Sequence, residues 1–399
     1  MDLTFTAADE RFRDEVRQFI ATHLPPEFAR RQRQIMTMTS STEDYLAWMR
    51  VLSARGWSTP HWDPAYGGAD WTPMQLFIFE EELHQADAPE FHWISTHMVG
   101  PVIYMFGSPA QKARFLPAIR QGEYIWCQGF SEPGAGSDLA SLKTTAVREG
   151  DHYRVNGQKI WTSGAFESRW GFFLVKTDTT VKPQAGISFL LIDMQSAGIT
   201  VRRIPEINGE AHVCEVFLED VLVPVENLVG EPGKGWSYAK ALLDHERAVS
   251  SYIYFNKREL RRAREIACAE TVEGRPLIER AQFRTRLAEL EAQVTALEWS
   301  VLRLLADEPT RYGASVAASV LKLTGSRLQQ AITELQVDML GLRAARYFAP
   351  YDADFGLSSL WPEHAPGRMG AALIARAATI FGGAEQIQKN IVSKLAFGL

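Results

Sequence analysis

A carboxylate on the apolar face of a predicted helix is the residue best suited to proton chemistry. Glu246 stands three, four or seven positions from the apolar residues that share its face, namely Leu242, Leu243, Val249 and Ile253. A carboxylate in such surroundings needs a cationic partner or a raised pKa. Two interpretations follow from the residues alone. Glu246 is either a buried ion-pair partner of Arg247 or another arginine, or a general base for a weakly acidic C–H proton.

A second candidate site is the turn within Trp126 to Asp138, which reads Trp-Cys-Gln-Gly-Phe-Ser-Glu-Pro-Gly-Ala-Gly-Ser-Asp. Gly134 and Gly136 carry no Cβ, so the backbone here can approach a bulky group closely. Ser131, Ser137 and the N–H groups of the turn suit a polar or phosphorylated ligand. Short Gly/Ser runs are also common in plain loops, so this motif alone leaves both interpretations open.

The next segment makes the prediction more specific. Residues Val155 to Gly164 form a predicted tight turn followed by a short run that contains Trp161 and Ser163. Together, the two segments resemble the β-domain of the acyl-CoA dehydrogenase family, flavoenzymes that desaturate acyl-CoA thioesters. The family pattern is a hydroxyl residue followed by Glu-Pro-Gly-Ala-Gly-Ser-Asp, and then Asn-Gly-x-Lys-x-Trp. The order of elements is similar over nearly the whole chain.

The resemblance implies FAD as cofactor and assigns its contacts. Trp161 is expected to pack against the isoalloxazine ring, while Ser131 and Ser163 hydrogen-bond its polar edge. Further cofactor contacts implied by the resemblance are Gln128, Phe130 and Gly383, and contacts on the substrate side are Ser137 and Asp244. On its spacing alone, Trp161 would be interpreted as a core residue.

The resemblance also separates the two interpretations of Glu246. Most family members carry the base as the Glu of a Tyr-Glu-Gly-Thr segment near the C-terminus, and Gly382 occupies that position here. A minority, similar to the isovaleryl-CoA and long-chain enzymes, place it just before an Arg on the first helix of the C-terminal bundle. Asp244-His245-Glu246-Arg247 matches this pattern. We therefore expect Glu246 to remove the α-proton, and Arg247 to orient or polarise the Glu246 carboxylate. Glu385, close to the usual position, is the rival base.

The reaction implied is transfer of the β-hydride to the flavin, followed by electron transfer to an electron-transfer flavoprotein. Two alternatives remain open on the sequence. One is an acyl-CoA oxidase or flavin monooxygenase on the same fold. The other is a non-catalytic partner subunit, because Gly382 replaces the usual base.

Two departures from the family concern the part of the FAD site offered to a neighbouring subunit. The segment Glu270 to Gly274 is acidic where the family carries an Arg, and two carboxylates would repel a pyrophosphate. Asp338 to Leu342 replaces a Gln-x-x-Gly-Gly segment. This pattern resembles the catalytic subunit of heteromeric acyl-CoA dehydrogenases used in steroid side-chain or dicarboxylate degradation. It implies a homologous second subunit in an α2β2 heterotetramer, the alternative being a homotetramer.

The elements that must position these residues change twice along the chain. Residues 1–121 show helical periodicity, with Thr72 and Pro73 marking a cap and a first turn. Residues 122–231 show short strands without helices between them, among them separate strands at 213–217 and 221–224. Residues 232–399 return to long helical segments, the last of them over 370–399. We therefore predict an α+β fold. It has an N-terminal helical domain, a central antiparallel β-barrel or sandwich, and a C-terminal four-helix bundle.

Composition excludes several other classes. The net charge of −6 argues against nucleic-acid binding. The arginines of residues 258–264 are interleaved with glutamates and predict a solvated helix face. No metal site is expected, since the three cysteines show no metal-ligand spacing, and they favour a reducing cytoplasm. No apolar run reaches membrane-spanning length and no secretory signal is recognised, so we expect a cytoplasmic protein without membrane contact.

Overall fold

The N-terminal part of the chain is helical, as predicted. The computed structural model describes residues 5–36, 40–90, 93–245, 251–306, 312–345 and 362–399. The first helices are α1 (Ala7–His23), α2 (Pro26–Arg33), α3 (Thr42–Arg55), α4 (Pro73–Gln85), α5 (Gly100–Phe106) and α6 (Pro109–Arg120), with a π-helical turn at Ile94–Val99. The predicted cap at Thr72 is confirmed, because its side chain accepts from the Gln75 N–H.

The central part forms a seven-stranded sheet. Its strands are β1 (Trp126–Gly129), β2 (Thr145–Glu149), β3 (His152–Ser163), β4 (Trp170–Lys176), β5 (Ile187–Asp193), β6 (Ile199–Arg203) and β7 (Val213–Pro224). The order is β1-β4-β2-β3-β7-β6, and β5 pairs with β4. Most pairs are antiparallel, while β1–β4 and β2–β4 are parallel. The sequence predicted two separate strands at 213–217 and 221–224, which the structure joins into β7.

Both faces of the sheet are covered near β4. Phe172 and Leu174 join a core cluster that includes residues of α5, α6 and the later helix α7 (Gly235–His245). The alternate residues Phe173 and Val175 face a second cluster built from the strands themselves. This alternation follows from the two-residue period of a strand. Around β4, the sheet therefore leaves only its ends and loops to a ligand.

The C-terminal part is a helical bundle built on α8 (Ile253–Ala269), α9 (Ala281–Leu305) and α10 (Ala314–Leu340), followed by α11 (Arg368–Ile374) and α12 (Glu385–Val392). A two-stranded hairpin of β8 (Thr271–Val272) and β9 (Arg275–Pro276) joins α8 to α9. The predicted helix over 370–399 is broken at Gly382 and Gly383, both at positive φ. Tyr252, at φ 54°, directly precedes α8.

The prediction that residues 258–264 form a solvated helix face is wrong for two of the four arginines. Arg258 and Arg262 are 1% and 5% exposed. Arg262 donates to Glu259 at 2.7 Å and to Asp87, while Arg258 pairs with Glu90. Because α8 packs between α4 and α10, this face meets acidic side chains of the N-terminal part instead of water.

None of the described helices combines the length and apolar character that a membrane crossing requires.

Candidate active site

A short reverse turn forms the centre of the Gly/Ser segment in the β-domain. The N–H of Glu132 donates to the Ala135 carbonyl at 3.0 Å, and the N–H of Ala135 returns a bond of the same length. The N–H of Ile160 in β3 donates to the Ser131 carbonyl, also at 3.0 Å. These bonds hold the turn beside β3. They bring Ser131 close to the residues that precede Trp161.

A buried ion pair fixes this arrangement. Lys159 is fully buried and donates to the Glu132 carboxylate at 2.8 Å and to the Phe130 carbonyl at 3.2 Å. Glu132 also accepts the N–H groups of Lys143 at 2.6 Å and Thr144 at 2.9 Å. Burial alone would raise the pKa of Glu132, but the Lys159 charge and these donors outweigh it and lower the pKa. The turn, β3 and the start of β2 are thus held by one carboxylate.

Trp161 has an unusual backbone and an uncovered side chain. Its φ is 61°, and the β3–β7 register shifts between Lys159 and Thr162. Positive φ is rare for a bulky residue, and a bulge re-aims the side chains around it. The indole is 60% exposed, although its neighbour Thr162 is fully buried. A large aromatic surface held outward on a strained, well-anchored strand is suited to stacking against a flat ligand.

The other β-domain residues predicted to contact FAD differ in how far their side chains are exposed. Gln128 and Ser131 are half-buried near the end of β1, and Ser163 is half-buried at the end of β3. Phe130 is only 8% exposed and lies edge-on to Phe172 and Phe189, with ring centroids 5.6 and 6.1 Å apart. A ligand can therefore meet the backbone of Phe130 more readily than its ring.

The glycines of the turn leave open space. A Cβ added to Gly134 or Gly136 would meet no atom within 4 Å, and neither residue has positive φ. The folded chain itself therefore does not demand glycine at these two positions. Ser137 is exposed beside them. This contrasts with Gly129, where a Cβ would lie 2.1 Å from the Phe173 ring.

The predicted base lies where the chain passes from α7 to α8. Glu246 and Arg247 lie outside the described residues. Asp244 belongs to the last turn of α7, which packs against the β5 strand and the π-helical turn. The backbone on either side of the segment is therefore placed by the sheet and by the C-terminal bundle.

The turn that carries Gly382 and Gly383 is tied to the start of α8. Lys322 of α10 donates to the Phe381 carbonyl at 3.0 Å, to the Ala378 carbonyl and to the Tyr252 hydroxyl at 3.3 Å. A Cβ on Gly382 would lie 3.9 Å from both Lys322 Cε and Tyr252 Oη. Position 382 therefore lies beside the segment that follows Glu246. Gly383 itself is exposed.

Glu385 has the surroundings of a surface ion-pair partner. Its carboxylate binds Arg327 and, at 2.5 Å, Lys389. Hydrogen bonds from these two cations lower the pKa of Glu385 to about 2. A carboxylate with such a low pKa is a weak base. The rival to Glu246 is therefore poorly suited to abstract an α-proton.

The acidic segment at Glu270 differs from the sequence-based expectation. Glu270 is 8% exposed and is bound by Arg343 at 2.5 Å and by His364 at 2.8 Å. Glu273 is exposed at the tip of the β8–β9 hairpin, 3.1 Å from Arg280. Only Glu273 thus presents a carboxylate outward, and the expected repulsion from Glu270 is neutralised within the chain.

Several contributors to the site were not assigned a role from sequence. Glu132 and Lys159 lie inside the two motifs, but nothing in their spacing indicated that they pair. Lys322 carried no signal, since a single lysine on a long helix is commonly exposed. Among the described residues no group of three or more His, Cys, Asp or Glu could hold a metal ion. Cys127, Cys214 and Cys268 are free thiols.

Comparison with known proteins finds acyl-CoA dehydrogenases along nearly the whole chain. Family models match for the acyl-CoA dehydrogenase N-terminal domain at residues 6–123, the middle domain at residues 127–221 and the C-terminal domain at residues 233–397. The chain is 34% identical over 407 residues to acyl-CoA dehydrogenase IpdE1 of Mycobacterium tuberculosis (strain ATCC 25618 / H37Rv). That alignment covers 98% of this chain and 97% of the relative.

Solved structures give the same result. The ChsE4-ChsE5 complex from Mycobacterium tuberculosis matches with a TM-score of 0.84 and 31% identity, over 100% of this chain and 99% of that one. The Tcur3481-Tcur3483 steroid ACAD matches with a TM-score of 0.84 and 26% identity, over the same shares of the two chains. With helical, β and helical parts in the order of the family models, the chain belongs to the acyl-CoA dehydrogenase family.

Proposed function

We propose that this protein uses FAD to introduce a double bond between the α- and β-carbons of an acyl-CoA thioester, with Glu246 as the base. The observation that carries the proposal is the outward-facing Trp161 indole beside the Ser131–Ser137 turn. Family membership supplies the reaction class, and the site supplies surfaces for its two ligands.

The residues fit the flavin. The uncovered face of Trp161 matches a flat aromatic ring, and the half-buried hydroxyls of Ser131 and Ser163 can bond its polar edge. Together with these three residues, Gln128 and the Phe130 backbone complete the surface that faces the flavin. Gly383 offers exposed backbone from the C-terminal turn. When bound, FAD supplies a two-electron acceptor for the β-hydrogen.

Removal of the α-proton is assigned to the Glu246 carboxylate. A thioester α-proton is weakly acidic, so its removal needs a base with a raised pKa and donors for the negative charge at the carbonyl. On the spacing of the sequence, apolar residues three to seven positions away are expected to surround Glu246, and such surroundings would raise the pKa of its carboxylate. Arg247 would orient it, while Asp244 and Ser137 would contact the substrate. Gly382 leaves the usual base position without a carboxylate.

The test exchanges each candidate carboxylate for its amide. Glu246→Gln should lower kcat by roughly 10²- to 10⁴-fold, the range for loss of a general base. Glu385→Gln should retain turnover, because its carboxylate is held by Arg327 and Lys389. Both variants should bind FAD like the parent, as judged by the flavin spectrum. Parental turnover by Glu246→Gln would disprove the base assignment.

We further propose an electron-transfer flavoprotein as acceptor. An oxidase would instead release peroxide stoichiometrically with product. The three free thiols support function in a reducing compartment such as the cytoplasm.

A heteromeric assembly is the favoured quaternary proposal. Glu273 is exposed at the hairpin where the family carries a cationic segment, and the structural relative named as a ChsE4-ChsE5 complex contains two different chains. We propose that a homologous second subunit completes the FAD site in an α2β2 heterotetramer. Purifying this chain alone tests the idea. It should bind substoichiometric FAD, and a fully loaded, active homotetramer would refute it.

A further inference from the structure

Lys322 of α10 carries a buried ammonium group that no described acid neutralises. The residue is 4% exposed, and burial lowers its pKa to about 8, so the side chain is still charged at neutral pH. Lys159 is also buried, but it is paired with Glu132 at 2.8 Å. A buried charge without a counter-ion is costly, and groups of this kind are commonly found near functional sites.

The acceptors of this ammonium group come from two separate parts of the chain. Lys322 offers three N–H donors. It donates to the Ala378 carbonyl and, at 3.0 Å, to the Phe381 carbonyl, both just before Gly382. It also donates at 3.3 Å to the hydroxyl of Tyr252, which precedes α8. The Tyr252 and Phe381 ring centroids lie 5.1 and 5.4 Å from the Lys322 nitrogen, within cation–π range. One cation thus joins the C-terminal turn to the start of α8.

The start of α8 is also fixed directly on α10. A Cβ at Gly325 would collide with the Ser251 carbonyl, so the missing side chain allows the two backbones to come into contact. The side-chain amide of the fully buried Asn256 donates to the Gly325 carbonyl at 3.0 Å. Ser251 is the first described residue after Glu246. The chain that leaves the proposed base is therefore held by α10 within a few residues.

The two parts that Lys322 joins have different roles in the proposed reaction. Glu246, six positions before Tyr252, is the proposed base, and Gly383, two positions after Phe381, is a proposed flavin contact. The α-proton and the β-hydrogen leave from neighbouring carbons, so the base and the flavin contacts must be held at a fixed separation. A residue bound to both backbones can set that separation without touching either ligand.

We propose that Lys322 is a positioning residue for the dehydrogenation, which places the segment carrying the base relative to the turn that contacts the flavin. It acts through its bonds to the Phe381 carbonyl and the Tyr252 hydroxyl. The inference rests on the proposed function and adds a residue to it. The alternative is a purely structural role, in which Lys322 only satisfies the carbonyls of the helical turn Ala375–Thr379 and of Phe381. Its loss would then lower stability without changing the rate of the folded enzyme.

The experiment measures kcat per bound flavin in the FAD-loaded enzyme, with any required partner subunit. Lys322→Met removes the donors and keeps an unbranched side chain. It should lower kcat per flavin roughly tenfold to a hundredfold with little change in KM, because small displacements of reacting groups are costly. Tyr252→Phe removes one bond, keeps the ring and should cause a smaller fall. Lys257→Met is the matched control, because it removes an ammonium group paired with Glu81 and Glu298, and it should keep the parental kcat per flavin. Parental kcat per flavin in Lys322→Met, even with reduced stability or flavin content, would overturn the proposal.

A second readout separates failure of the inference from failure of the proposed function. Amide hydrogen exchange measures local opening without turnover. Lys322→Met should speed exchange over residues 251–256 and 378–383 together, whereas Lys257→Met should leave 378–383 unchanged. If Lys322→Met does not fold, Tyr252→Phe should show the same joint change to a smaller degree. The joint change supports the link between the two segments even if no acyl-CoA is oxidised. Exchange that rises in only one segment, or in neither, would overturn the link whether or not dehydrogenation is observed.

Discussion

At the scale of single residues, Trp161 explains why a strained backbone is retained in an otherwise regular strand. Extended backbone would direct residue 161 along the alternation of β3, whereas the bulge and positive φ place it outward. Lys159 and the fully buried Thr162 anchor the strand on both sides. The strain is therefore borne by a well-packed segment, and its benefit is an aromatic surface available to a ligand.

Replacing this indole should weaken FAD binding. Trp161→Ala is expected to raise the Kd for FAD roughly tenfold to a hundredfold, because burying one large apolar side chain contributes about 1.5–3 kcal/mol. Titration of the flavin-free protein measures this directly. Trp299→Ala is a matched control, since Trp299 is also exposed, at 48%, but lies on α9. Unchanged affinity in Trp161→Ala would show that the indole does not contact the flavin.

The sequence predicted the residues proposed to contact the flavin more readily than the buried ion pair that holds their backbone in place. Trp161 and Ser131 lie in motifs whose letters carry the family resemblance. The Glu132–Lys159 bond joins residues 27 positions apart, and no local periodicity indicates such a pairing.

At the scale of elements, Glu132 and Lys159 hold four pieces of backbone in one place. Lys159 also donates to the Leu174 carbonyl of β4 at 2.7 Å. The ammonium and the carboxylate therefore connect the turn after β1 with β2, β3 and β4. Bonds of this kind position the site by restricting backbone segments instead of contacting ligand.

Lys159→Met should disturb both stability and flavin loading. It leaves the Glu132 carboxylate buried without its cation, which costs about 3–5 kcal/mol in comparable pairs. The unfolding midpoint in urea should fall, and the Glu132→Gln/Lys159→Met double variant should recover part of the loss. Lys143→Met is the control, because that lysine is exposed and only its backbone N–H meets Glu132. A double variant as unstable as the single one would contradict this account.

Element boundaries were predicted where capping residues mark them, and less well elsewhere. Thr72 and the adjacent proline fix the start of α4 because both suit the first turn of a helix. The break at Gly382 was missed, since apolar residues continue at helical spacing on both sides. The burial of Arg258 and Arg262 was also missed. Their partners Asp87 and Glu90 lie 168 to 175 positions away, and arginines on a solvated face have the same spacing.

At the scale of the whole molecule, a buried ionic network joins the N-terminal helices to the C-terminal bundle. Glu259 is 1% exposed and is bound by Arg262 at 2.7 Å and by Arg368 at 2.6 Å. Arg368 also donates to the Arg33 carbonyl at 2.7 Å, while Arg262 reaches Asp87. Burial would raise the pKa of Glu259, but the surrounding guanidinium groups lower it far below its usual value.

Removing the Glu259 carboxylate should weaken the packing between the N-terminal helices and the C-terminal bundle, and so destabilise the protein. Glu259→Gln is expected to lower the free energy of unfolding by about 3–5 kcal/mol at pH 7, because it leaves buried arginines uncompensated. A lowered pKa in the folded state stabilises the protein above the usual value of 4.5. The difference from the parent should therefore shrink as pH falls below about 4.5. Glu265→Gln on the same helix should change stability by less than about 1 kcal/mol. Urea unfolding across pH measures both, and a pH-independent difference would contradict the assignment.

The C-terminal end exposes an apolar surface that the described residues leave uncovered. Helix α12 has no buried residue, and the segment around it leaves large side chains open to solvent: Ile380 at 68%, Leu395 at 56%, Phe397 at 63% and Leu399 at 87%. Exposed apolar surface of this kind marks association sites. Together with the acidic hairpin tip at Glu273, it suits contact with a homologous subunit.

Substituting this surface should separate assembly from catalysis. Leu395→Ser/Phe397→Ser is expected to shift the purified complex toward smaller species in light-scattering measurements, because polar side chains remove the gain from burying apolar area. Flavin content should fall with assembly if a second subunit completes the FAD site. Leu222→Ser, an equally exposed leucine at 50% on the β-domain, should leave the mass unchanged. An unaltered mass in the double variant would place the subunit interface elsewhere. A dissociated chain that keeps full flavin would show that the neighbour contributes nothing to the cofactor site.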